Sequence, residues 1–346
     1  MASLSVIVPV YNREHLIGET LRSLLNQSLP ADEIILVDDG SSDATAESVE
    51  KEFASFSRSF SGIGKLPELK VIRQENAGPA AARNRGFVES RGDFIHFFDS
   101  DDIALPNKHE SQVRALRKTG ADIAIGPWQK GYLNGSTFRP FHHVLQQRGL
   151  PRGSLLKALL TDWSLVPHCG LFTRQIVERA GGFPEDCFGV EDTFFLLSCF
   201  LAGARCTHTT DTLELYRIGN IKITDAGDSG ERHLKEWAKV LLKMRSKCLS
   251  SGLDPARWFG FRARCWRAMR DLERFGEVDS VLLQGLRDVA DSSPDFVYAG
   301  TGLFRQWYGG LKYRIIGDRS CSFYQTGPLT KDQISLVNEA GYEIAW

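Results

Sequence analysis

The strongest constraint on the fold is the alternation of short apolar runs and helical patterns over the first 126 residues. The run Leu4–Val10 is almost continuously apolar and rich in β-branched residues, which is typical of a strand buried on both faces of a parallel sheet. Leucines and isoleucines then recur at helical spacing, and strand and helix patterns alternate up to Gly126. This alternation predicts an α/β fold with an open, mostly parallel sheet flanked by helices.

The pattern also predicts where the elements lie. The predicted strands are Leu4–Val10, 33–37, 69–72, 94–98 and 121–126, and the predicted helices are 16–25, 43–56, 79–90 and 107–119. After residue 126 the alternation loosens, with a loop and a strand over 163–172 and an apolar helix over 191–202. Beyond residue 230 the pattern is helical and rich in arginine and tryptophan.

Polar residues stand at the ends of the first four predicted strands, where a purely structural sheet would need only turns. Ligands of open α/β sheets bind outside the carboxyl ends of the strands. These segments therefore predict one binding site. They are Tyr11-Asn12, Asp38-Asp39-Gly40-Ser41-Ser42-Asp43, Asn76-Ala77-Gly78 with Ala82-Arg83-Asn84-Arg85-Gly86, and Asp99-Ser100-Asp101-Asp102.

Asp99 and Asp101 are the strongest candidates for a metal site. Two carboxylates at positions i and i+2 of a turn can converge on one divalent ion, and Mg²⁺ or Mn²⁺ prefers oxygen ligands together with phosphates. The structural alternative is a helix cap or a turn, and we interpret Asp102 as such a helix cap. Three aspartates within four residues favour the metal, since without a cation they would repel one another.

Other polar residues suit a nucleotide and an acid–base reaction. Asp39 can accept hydrogen bonds from a base or a ribose, and Arg83 can hold a phosphate with its forked guanidinium. Asp192 opens an apolar helix, where the helix dipole favours a carboxylate, and it can act as a general base. Each has a structural alternative: helix capping for the segment 38–43, in which Ser42 or Asp43 would be the cap, a solvated helix face for Arg83 and an ordinary N-terminal charge for Asp192.

Trp163, His168 and Glu191 are weaker candidates in the less regular segment after residue 126. We assign them to the region that contacts a second substrate. A lone histidine is more often a buried hydrogen-bonding residue than a ligand, which is the alternative for His168. An N-terminal helix charge without a catalytic task is the alternative for Glu191.

Five segments taken in order resemble the inverting family-2 glycosyltransferases of GT-A fold. They are SVIVPVYN (5–12), EIILVDDGSSD (33–43), NAGPAAARNRG (76–86), FFDSDD (97–102) and GGFPE followed by VED (181–192). The resemblance covers about residues 1–225. It implies a GT-A, Rossmann-like fold with an open mixed, mostly parallel sheet flanked by helices. The implied catalytic domain is 1–228, divided into a nucleotide-sugar-binding half (1–126) and an acceptor-binding half (127–228), and a mainly helical C-terminal region follows (229–346).

The resemblance also implies roles for individual residues. The residues implied for nucleotide binding are Pro9, Tyr11, Asp39, Arg83 and Asp99. Asp99 and Asp101 would hold a Mn²⁺ or Mg²⁺ ion that bridges the diphosphate, and Asp192 would be the base. The implied function is metal-dependent, inverting transfer of a sugar from a UDP-sugar to a hydroxyl of a saccharide or lipid-linked acceptor. The implied setting is the synthesis of a surface polysaccharide or glycolipid.

The sequence departs from the family pattern at one position. Many relatives carry a histidine shortly after a Tyr-Arg pair, but Tyr216-Arg217 is followed here by Ile218. We therefore expect the metal to be held by Asp101, phosphates and water. Two other functions stay open, a sugar-nucleotide nucleotidyltransferase and a non-catalytic sugar-nucleotide-binding assembly subunit. The first should carry a glycine-rich basic loop after strand one, where Tyr11-Asn12-Arg13-Glu14 stands.

Arginines and aromatic residues interleave within 257–319, which permits two interpretations. One is a peripheral contact with an anionic membrane. The other is a helical appendage that packs its aromatic residues on the catalytic domain or on a second copy, as in a homo-oligomer. Residues 1–230 carry a net charge of −5 and residues 231–346 a net charge of +4. The overall charge of −1 argues against nucleic-acid binding through bulk electrostatics.

The expected location is the cytoplasm, at most on the inner face of the membrane. The seven cysteines include no CxxC pair and fit a reducing compartment. The N-terminus lacks a basic region before its apolar run, and the longest apolar stretch, near 194–204, is shorter than the roughly 20 residues that span a bilayer.

Overall fold

The computed structural model describes residues 2–60, 65–161, 163–187, 189–218, 229–274, 279–290 and 326–345. Within these residues the strands are β1 (Leu4–Val10), β2 (Glu33–Asp38), β3 (Glu68–Arg73), β4 (Phe94–Phe97), β5 (Ile103–Ala104), β6 (Ile123–Ile125), β7 (Trp128–Asn134), β8 (Thr137–Pro140), β9 (Gly170–Thr173), β10 (Cys206–His208), β11 (Glu214–Arg217) and β12 (Glu343–Ile344). The helices are α1 (Ile17–Leu25), α2 (Thr45–Ser59), α3 (Pro79–Glu89), α4 (Lys108–Thr119), α5 (Leu155–Thr161), α6 (Arg174–Ala180), α7 (Glu191–Leu201), α8 (Ser229–Ser250), α9 (Phe259–Glu273), α10 (Ser280–Ala290) and α11 (Lys331–Glu339).

The larger sheet has the strand order β10-β6-β9-β4-β1-β2-β3 in the described residues. All seven residues of β1 are buried, as expected for a strand covered on both faces by helices. Every neighbouring pair is parallel except those of β9, which lies antiparallel between β4 and β6. The predicted open, mixed, mostly parallel sheet flanked by helices is therefore confirmed.

A second sheet in the described residues has the order β12-β8-β7-β11-β5. Its strand β5 follows Asp102 directly and pairs with β11, so the chain after β4 passes from one sheet to the other. Strands β7 and β8 form a hairpin, and β11 runs parallel to β7. Sequence periodicity did not predict this sheet, because its strands are short and their partners are distant in the chain.

Helix α3 lies unusually close to β1 because of Gly86. A β-carbon at Gly86 would stand 2.4 Å from Cγ2 of Ile7, which no side chain could tolerate without movement. Arg83 precedes Gly86 by three residues and therefore lies on the same side of the helix. The close packing thus sets the height of the Arg83 side chain above the sheet.

Several aromatic residues of the described helices after α7 pack inward, whereas Phe259 is exposed. Phe261 is fully buried, and Trp258 and Trp266 pack on the same core as α5 and α7. This supports the interpretation of the region as a packed appendage. Residues 291–319, with the rest of the predicted membrane contact, lie outside the described residues. None of the described helices is both long and apolar enough to cross a bilayer.

The domain boundary near residue 228 stays a prediction. The C-terminal strand β12 pairs with β8, which lies in the predicted acceptor-binding half. The segment 326–345 is also joined to that half through Gln333, whose amide exchanges hydrogen bonds with Gln147. The last residues of the chain thus complete the second sheet.

Candidate active site

The ends of β1 and β2 form one wall of the candidate site. Pro9 lies within β1 and pairs with Val37 of β2, and the ring of Tyr11 just beyond the strand is 39% exposed. The buried carboxylate of Asp39 accepts hydrogen bonds from the backbone amides of Ala77 and Gly78 at 2.9 and 2.8 Å. Asp39 therefore fixes the loop that leads into α3. This arrangement brings three of the residues predicted to bind nucleotide to one edge of the sheet.

Arg83 occupies the centre of the site. Its side chain is almost fully buried, and its guanidinium lies 2.8 Å from Asp99, 3.1 Å from Glu191 and 3.3 Å from Asp192. Burial lowers the pKa of Arg83, but the three carboxylates raise it well above its ordinary value. One buried cation thus joins the end of β4 to the start of α7, which the sequence predicted as separate parts of one site.

Asp192 holds its proton more tightly than an ordinary carboxylate. Removal from water raises the pKa of Asp192 to about 7, although the nearby Arg83 acts in the opposite direction. Glu191 and Asp99 add to the rise through charge repulsion. A carboxylate with a pKa near neutrality can take a proton from a substrate hydroxyl, because it is poised between its two states.

His168, a weak candidate in the sequence, lies at the base of the carboxylate cluster. Its Nδ1 is 2.8 Å from Asp99 and 2.9 Å from Asp102, and its Nε2 is 3.2 Å from Glu214. Burial lowers the pKa of His168, but Glu214, Asp102 and Asp99 together raise it well above its ordinary value. With carboxylates at both ring nitrogens, His168 acts as a fixed positive charge beneath the site.

A second layer of buried charges supports His168. Glu214 on β11 lies 2.7 Å from the ammonium group of Lys108, and both side chains are fully buried. His96 contacts the backbone oxygen of His168 at 2.9 Å and the ring of His109 at 3.0 Å. Burial keeps the pKa values of His96 and His109 low, so these two rings are neutral.

Asp101 and Asp102 play different parts although they are adjacent. Asp102 accepts a hydrogen bond from the backbone amide of Arg217 at 2.9 Å, and it does not cap α4. The interpretation of Asp102 as a helix cap is therefore wrong. Asp101 stays partly exposed, 3.7 Å from Nε of Arg13. Burial, together with Asp102 and Asp99, raises the pKa of Asp101 to about 6.

In the described part of the chain, one group of three residues could hold a metal ion: Asp99, Asp102 and His168, whose ligand atoms lie within 4.8 Å of one another. Asp101 is not part of that group. His168 and Asp102 are buried behind Asp99, whereas the side chains of Asp99 and Asp101 are 28% and 25% exposed. The donor oxygens suit a hard divalent cation.

Trp163 is part of the main hydrophobic core. Its side chain is fully buried and its ring stacks on Phe200 in the main core. It therefore belongs to the core and is not carried into the proposed site.

Sequence reasoning also missed the roles of Arg13, Lys108 and Glu214. The only signal for Glu214 was its position two residues before the Tyr216-Arg217 pair.

Comparison with protein families decides the classification. Residues 5–181, just over half of the chain, match the model of the family described as "Glycosyl transferase family 2". The chain belongs to glycosyl transferase family 2. It is a glycosyltransferase, and the resemblance to this family is confirmed; the first four of the five segments lie within the matched residues, and the fifth (181–192) begins where the match ends.

This family-2 glycosyltransferase is similar to EpsH of Bacillus subtilis strain 168, with 43% identity over 225 residues, which are 62% of this chain and 61% of EpsH. Its fold is similar to that of residues 1–349 of TarS from Staphylococcus aureus in complex with UDP-GlcNAc. The TM-score is 0.64 at 21% identity, over 93% of this chain and 89% of the other.

A second solved structure shares the fold. It is the mannosyltransferase PcManGT from Pyrobaculum calidifontis in complex with GDP-Man and Mn²⁺. The TM-score is 0.54 at 16% identity, over 98% of this chain and 86% of the other. The two structural matches show the GT-A-like fold of this glycosyltransferase.

Proposed function

We propose that this glycosyltransferase moves a sugar from a UDP-sugar to an acceptor hydroxyl with inversion, in a reaction that depends on a divalent metal ion. The observation that carries the proposal is the position of Arg83, which touches Asp99, Glu191 and Asp192 within 3.3 Å. A base at Asp192 and a metal-binding carboxylate at Asp99 thus face the same small space. Such a space suits a leaving diphosphate on one side and an acceptor hydroxyl on the other.

The donor nucleotide is assigned to the edge formed by β1 and β2. The exposed Tyr11 can stack on a base, Pro9 lies two residues before it in β1, and Asp39 holds the loop at this edge. UDP and UDP-GlcNAc are bound in the TarS structures, which favours a uridine donor. GDP-Man in PcManGT shows that proteins of this fold differ in the nucleotide they bind.

Asp99 and Asp101 would hold the Mn²⁺ or Mg²⁺ ion, because they are the partly exposed carboxylates of the turn that follows β4, whereas Asp102 is buried. The raised pKa of Asp101 fits this role, since unneutralised neighbouring carboxylates cause part of the rise. The Mn²⁺ in the PcManGT complex gives further support. When bound, such an ion supplies Lewis-acid stabilisation of a departing diphosphate.

The residues of the chain would then act as follows. Arg83 pairs with a phosphate and stabilises the charge that develops on the leaving group. Asp192 takes the proton of the acceptor hydroxyl, whose oxygen attacks the anomeric carbon from the face opposite UDP. The bond from the anomeric carbon to the phosphate oxygen breaks as the new glycosidic bond forms. This glycosyl transfer would serve the synthesis of a surface polysaccharide or glycolipid.

Calorimetric titration with UDP, GDP and dTDP, each with and without Mn²⁺, tests the donor site. We expect UDP to bind most tightly, to need Mn²⁺ and to lose most of its affinity in Asp101→Ala. Asp288→Ala, an exposed acid on α10, is the control and should bind as the wild type does. Binding of UDP that is equally strong without Mn²⁺ and in Asp101→Ala would contradict the metal assignment. Preference for GDP or dTDP would contradict the choice of donor.

A further inference from the structure

The segment between α6 and α7 is held to α3 by the side chain of Asn84. The amide oxygen of Asn84 accepts a hydrogen bond from the backbone N–H of Phe183 at 2.8 Å, and its amide nitrogen donates to the backbone oxygen of Phe183 at 2.9 Å. The same nitrogen donates to the carboxylate of Glu185 at 2.8 Å. One side chain thus fixes both backbone polar groups of Phe183. We call these three hydrogen bonds the Asn84 clasp.

The close approach of the two segments depends on Gly182. A β-carbon at Gly182 would stand 2.7 Å from the amide oxygen of Asn84, and the φ angle of Gly182 is +78°. A larger residue would therefore be strained in its backbone and would also push against the clasp. The glycine that follows the end of α6 is thus part of the same contact.

The buried ring of Phe183 touches α3, β4 and α7, the three elements that supply the arginine and the carboxylates of the site. It stacks on the ring of Phe195 of α7, with ring centres 4.0 Å apart, and the ring of Phe97 of β4 meets it edge-on at 4.9 Å. The central carbon of the Arg83 guanidinium lies 5.2 Å from the centre of the Phe183 ring, which is within the range of a cation–π contact. Phe183 therefore supports all three elements at one point.

The aromatic contacts of Phe183 lie close in the chain to residues of the site. Phe195 follows Asp192 by three residues on α7, and residues three apart lie on the same side of a helix. Phe97 precedes Asp99 by two residues. A displacement of Phe183 would therefore reach both the carboxylate at the end of β4 and the carboxylate at the start of α7.

We propose that Asn84 is a positioning residue, which holds the base Asp192 at a fixed distance from Arg83. It acts through Phe183, whose backbone it binds. The ion pair between Arg83 and Asp192 is 3.3 Å long and has a partly exposed carboxylate, so this pair alone fixes the geometry only weakly. The inference rests on the proposed function, since it takes Asp192 as the base.

Two variants and a matched control test the proposal on the full chain. Asn84→Ala removes the clasp, and Phe183→Leu keeps the backbone contacts of the clasp but removes the aromatic ring. The control is Ser90→Ala at the carboxyl end of α3, where the Ser90 hydroxyl accepts a hydrogen bond from the guanidinium of Arg174 at 2.8 Å. That contact also joins α3 to α6, so its loss reports on stability alone. Urea unfolding establishes that each variant is folded.

The first readout is the titration of the Asp192 carboxylate in the metal-free chain. It is followed by carbon NMR with labelled aspartate carboxyl groups, and the signal is assigned by its absence in Asp192→Asn. The charged groups that act on Asp192 are Arg83, Glu191, Asp99 and His168. Burial is the largest cause of its raised pKa, and a loosened start of α7 would admit water. The midpoint should therefore fall from about pH 7 by at least about one pH unit in Asn84→Ala and Phe183→Leu, and stay unchanged in Ser90→Ala.

The second readout is donor hydrolysis, measured as UDP release from UDP-GlcNAc, UDP-glucose and UDP-galactose with Mn²⁺. We expect Asn84→Ala to lower kcat about 10- to 100-fold, because a small misplacement of a reacting group costs this much. UDP affinity in calorimetry should change less than about threefold, since the clasp acts on the geometry of the reaction and not on nucleotide binding. In an Asp192→Asn background the same substitution should lower the residual rate less than about twofold, because the base that it positions is already absent.

Three results would overturn the proposal. One is an unchanged titration of Asp192 in Asn84→Ala and Phe183→Leu, and another is the same shift of the midpoint in Ser90→Ala. The third is an equal loss of rate from Asn84→Ala with and without the Asp192 carboxylate, which a general loss of stability would give. Failure of the proposed function looks different: Asp192→Asn would then hydrolyse the donors as fast as the wild type, while the titration still shows whether Asn84 holds the Asp192 carboxylate in place.

Discussion

Replacement of His168 by glutamine should destabilise the protein strongly. His168 is fully buried, and its two ring nitrogens lie between 2.8 and 3.2 Å from Asp99, Asp102 and Glu214. A glutamine keeps a polar side chain at this position but removes the positive charge. The measurement is urea unfolding in the presence of EDTA, so that only the charges of the protein contribute.

The expected magnitude follows from the partners that remain. Removal of one partner from a buried ion pair costs about 3–5 kcal/mol. Each carboxylate keeps another contact in His168→Gln: Arg83 for Asp99, Lys108 for Glu214 and the backbone amide of Arg217 for Asp102. The free energy of unfolding should therefore fall by about 3 kcal/mol, which is the lower end of that range. With a denaturant dependence of about 3 kcal/mol per molar urea, the midpoint falls by about 1 M.

A second variant, Asp102→Asn, isolates the contribution of the negative charge of Asp102 to its interaction with His168. Asparagine keeps the oxygen that accepts the Arg217 amide but loses the negative charge that faces residue 168. The loss of unfolding free energy in the double variant should therefore be about 2 kcal/mol smaller than the sum of the losses in the two single variants. The control cycle is Arg114→Gln with Asp211→Asn, an ion pair whose side chains are 58% and 51% exposed, where coupling stays below about 1 kcal/mol. A His168→Gln variant within about 1 kcal/mol of the wild type, or coupling no larger than in the control, would refute the reasoning.

Three further predictions concern the reaction and the packing that supports it. The pKa of about 7 at Asp192 predicts that kcat/KM rises with pH up to about 7 and then levels off, because the base must lose its proton before it can act. Asp192→Asn should lower kcat by about 10²–10⁴ and remove this pH dependence, and both effects are measured as rates against pH. Arg83→Lys should weaken UDP binding at least tenfold in calorimetry, because a lysine ammonium lacks the planar, forked guanidinium that can contact a phosphate as well as the three carboxylates. Unchanged affinity would contradict the central place of Arg83. Gly86→Ala should lower the free energy of unfolding, measured with urea, by about 1–3 kcal/mol, since the new methyl group would overlap Ile7. A variant as stable as the wild type would show that α3 can move away from β1.

The part of the fold that the sequence predicted well is the part with strong local signals. Strand β1 has the predicted bounds because a buried parallel strand needs an uninterrupted apolar run. The polar ends of β1, β2 and β4 do meet at one edge, as the topology of such sheets requires. Asp99, Arg83 and Asp192 are therefore neighbours in space, as predicted for a single site.

The parts of the fold and of the site that the sequence did not predict depend on contacts between distant residues, which periodicity does not reveal. Strand β5 has two residues, too few for any pattern, and β9 enters the larger sheet antiparallel from far along the chain. Glu214 and Lys108 carry no local sign that they form a buried pair. Trp163 lies in a segment without periodicity, and only the packing of the core shows that its ring is buried.

The central claim is inverting transfer with Asp192 as the base, and the hydrolysis of the donor by water tests it without an acceptor. UDP-GlcNAc, UDP-glucose and UDP-galactose are incubated with the enzyme and Mn²⁺, and the first sugar released is observed by proton NMR before its anomers equilibrate. The account predicts the β anomer from an α-linked donor, and no release in Asp192→Asn although that variant still binds UDP. Release of the α anomer first, or equal rates in Asp192→Asn and the wild type, would contradict it.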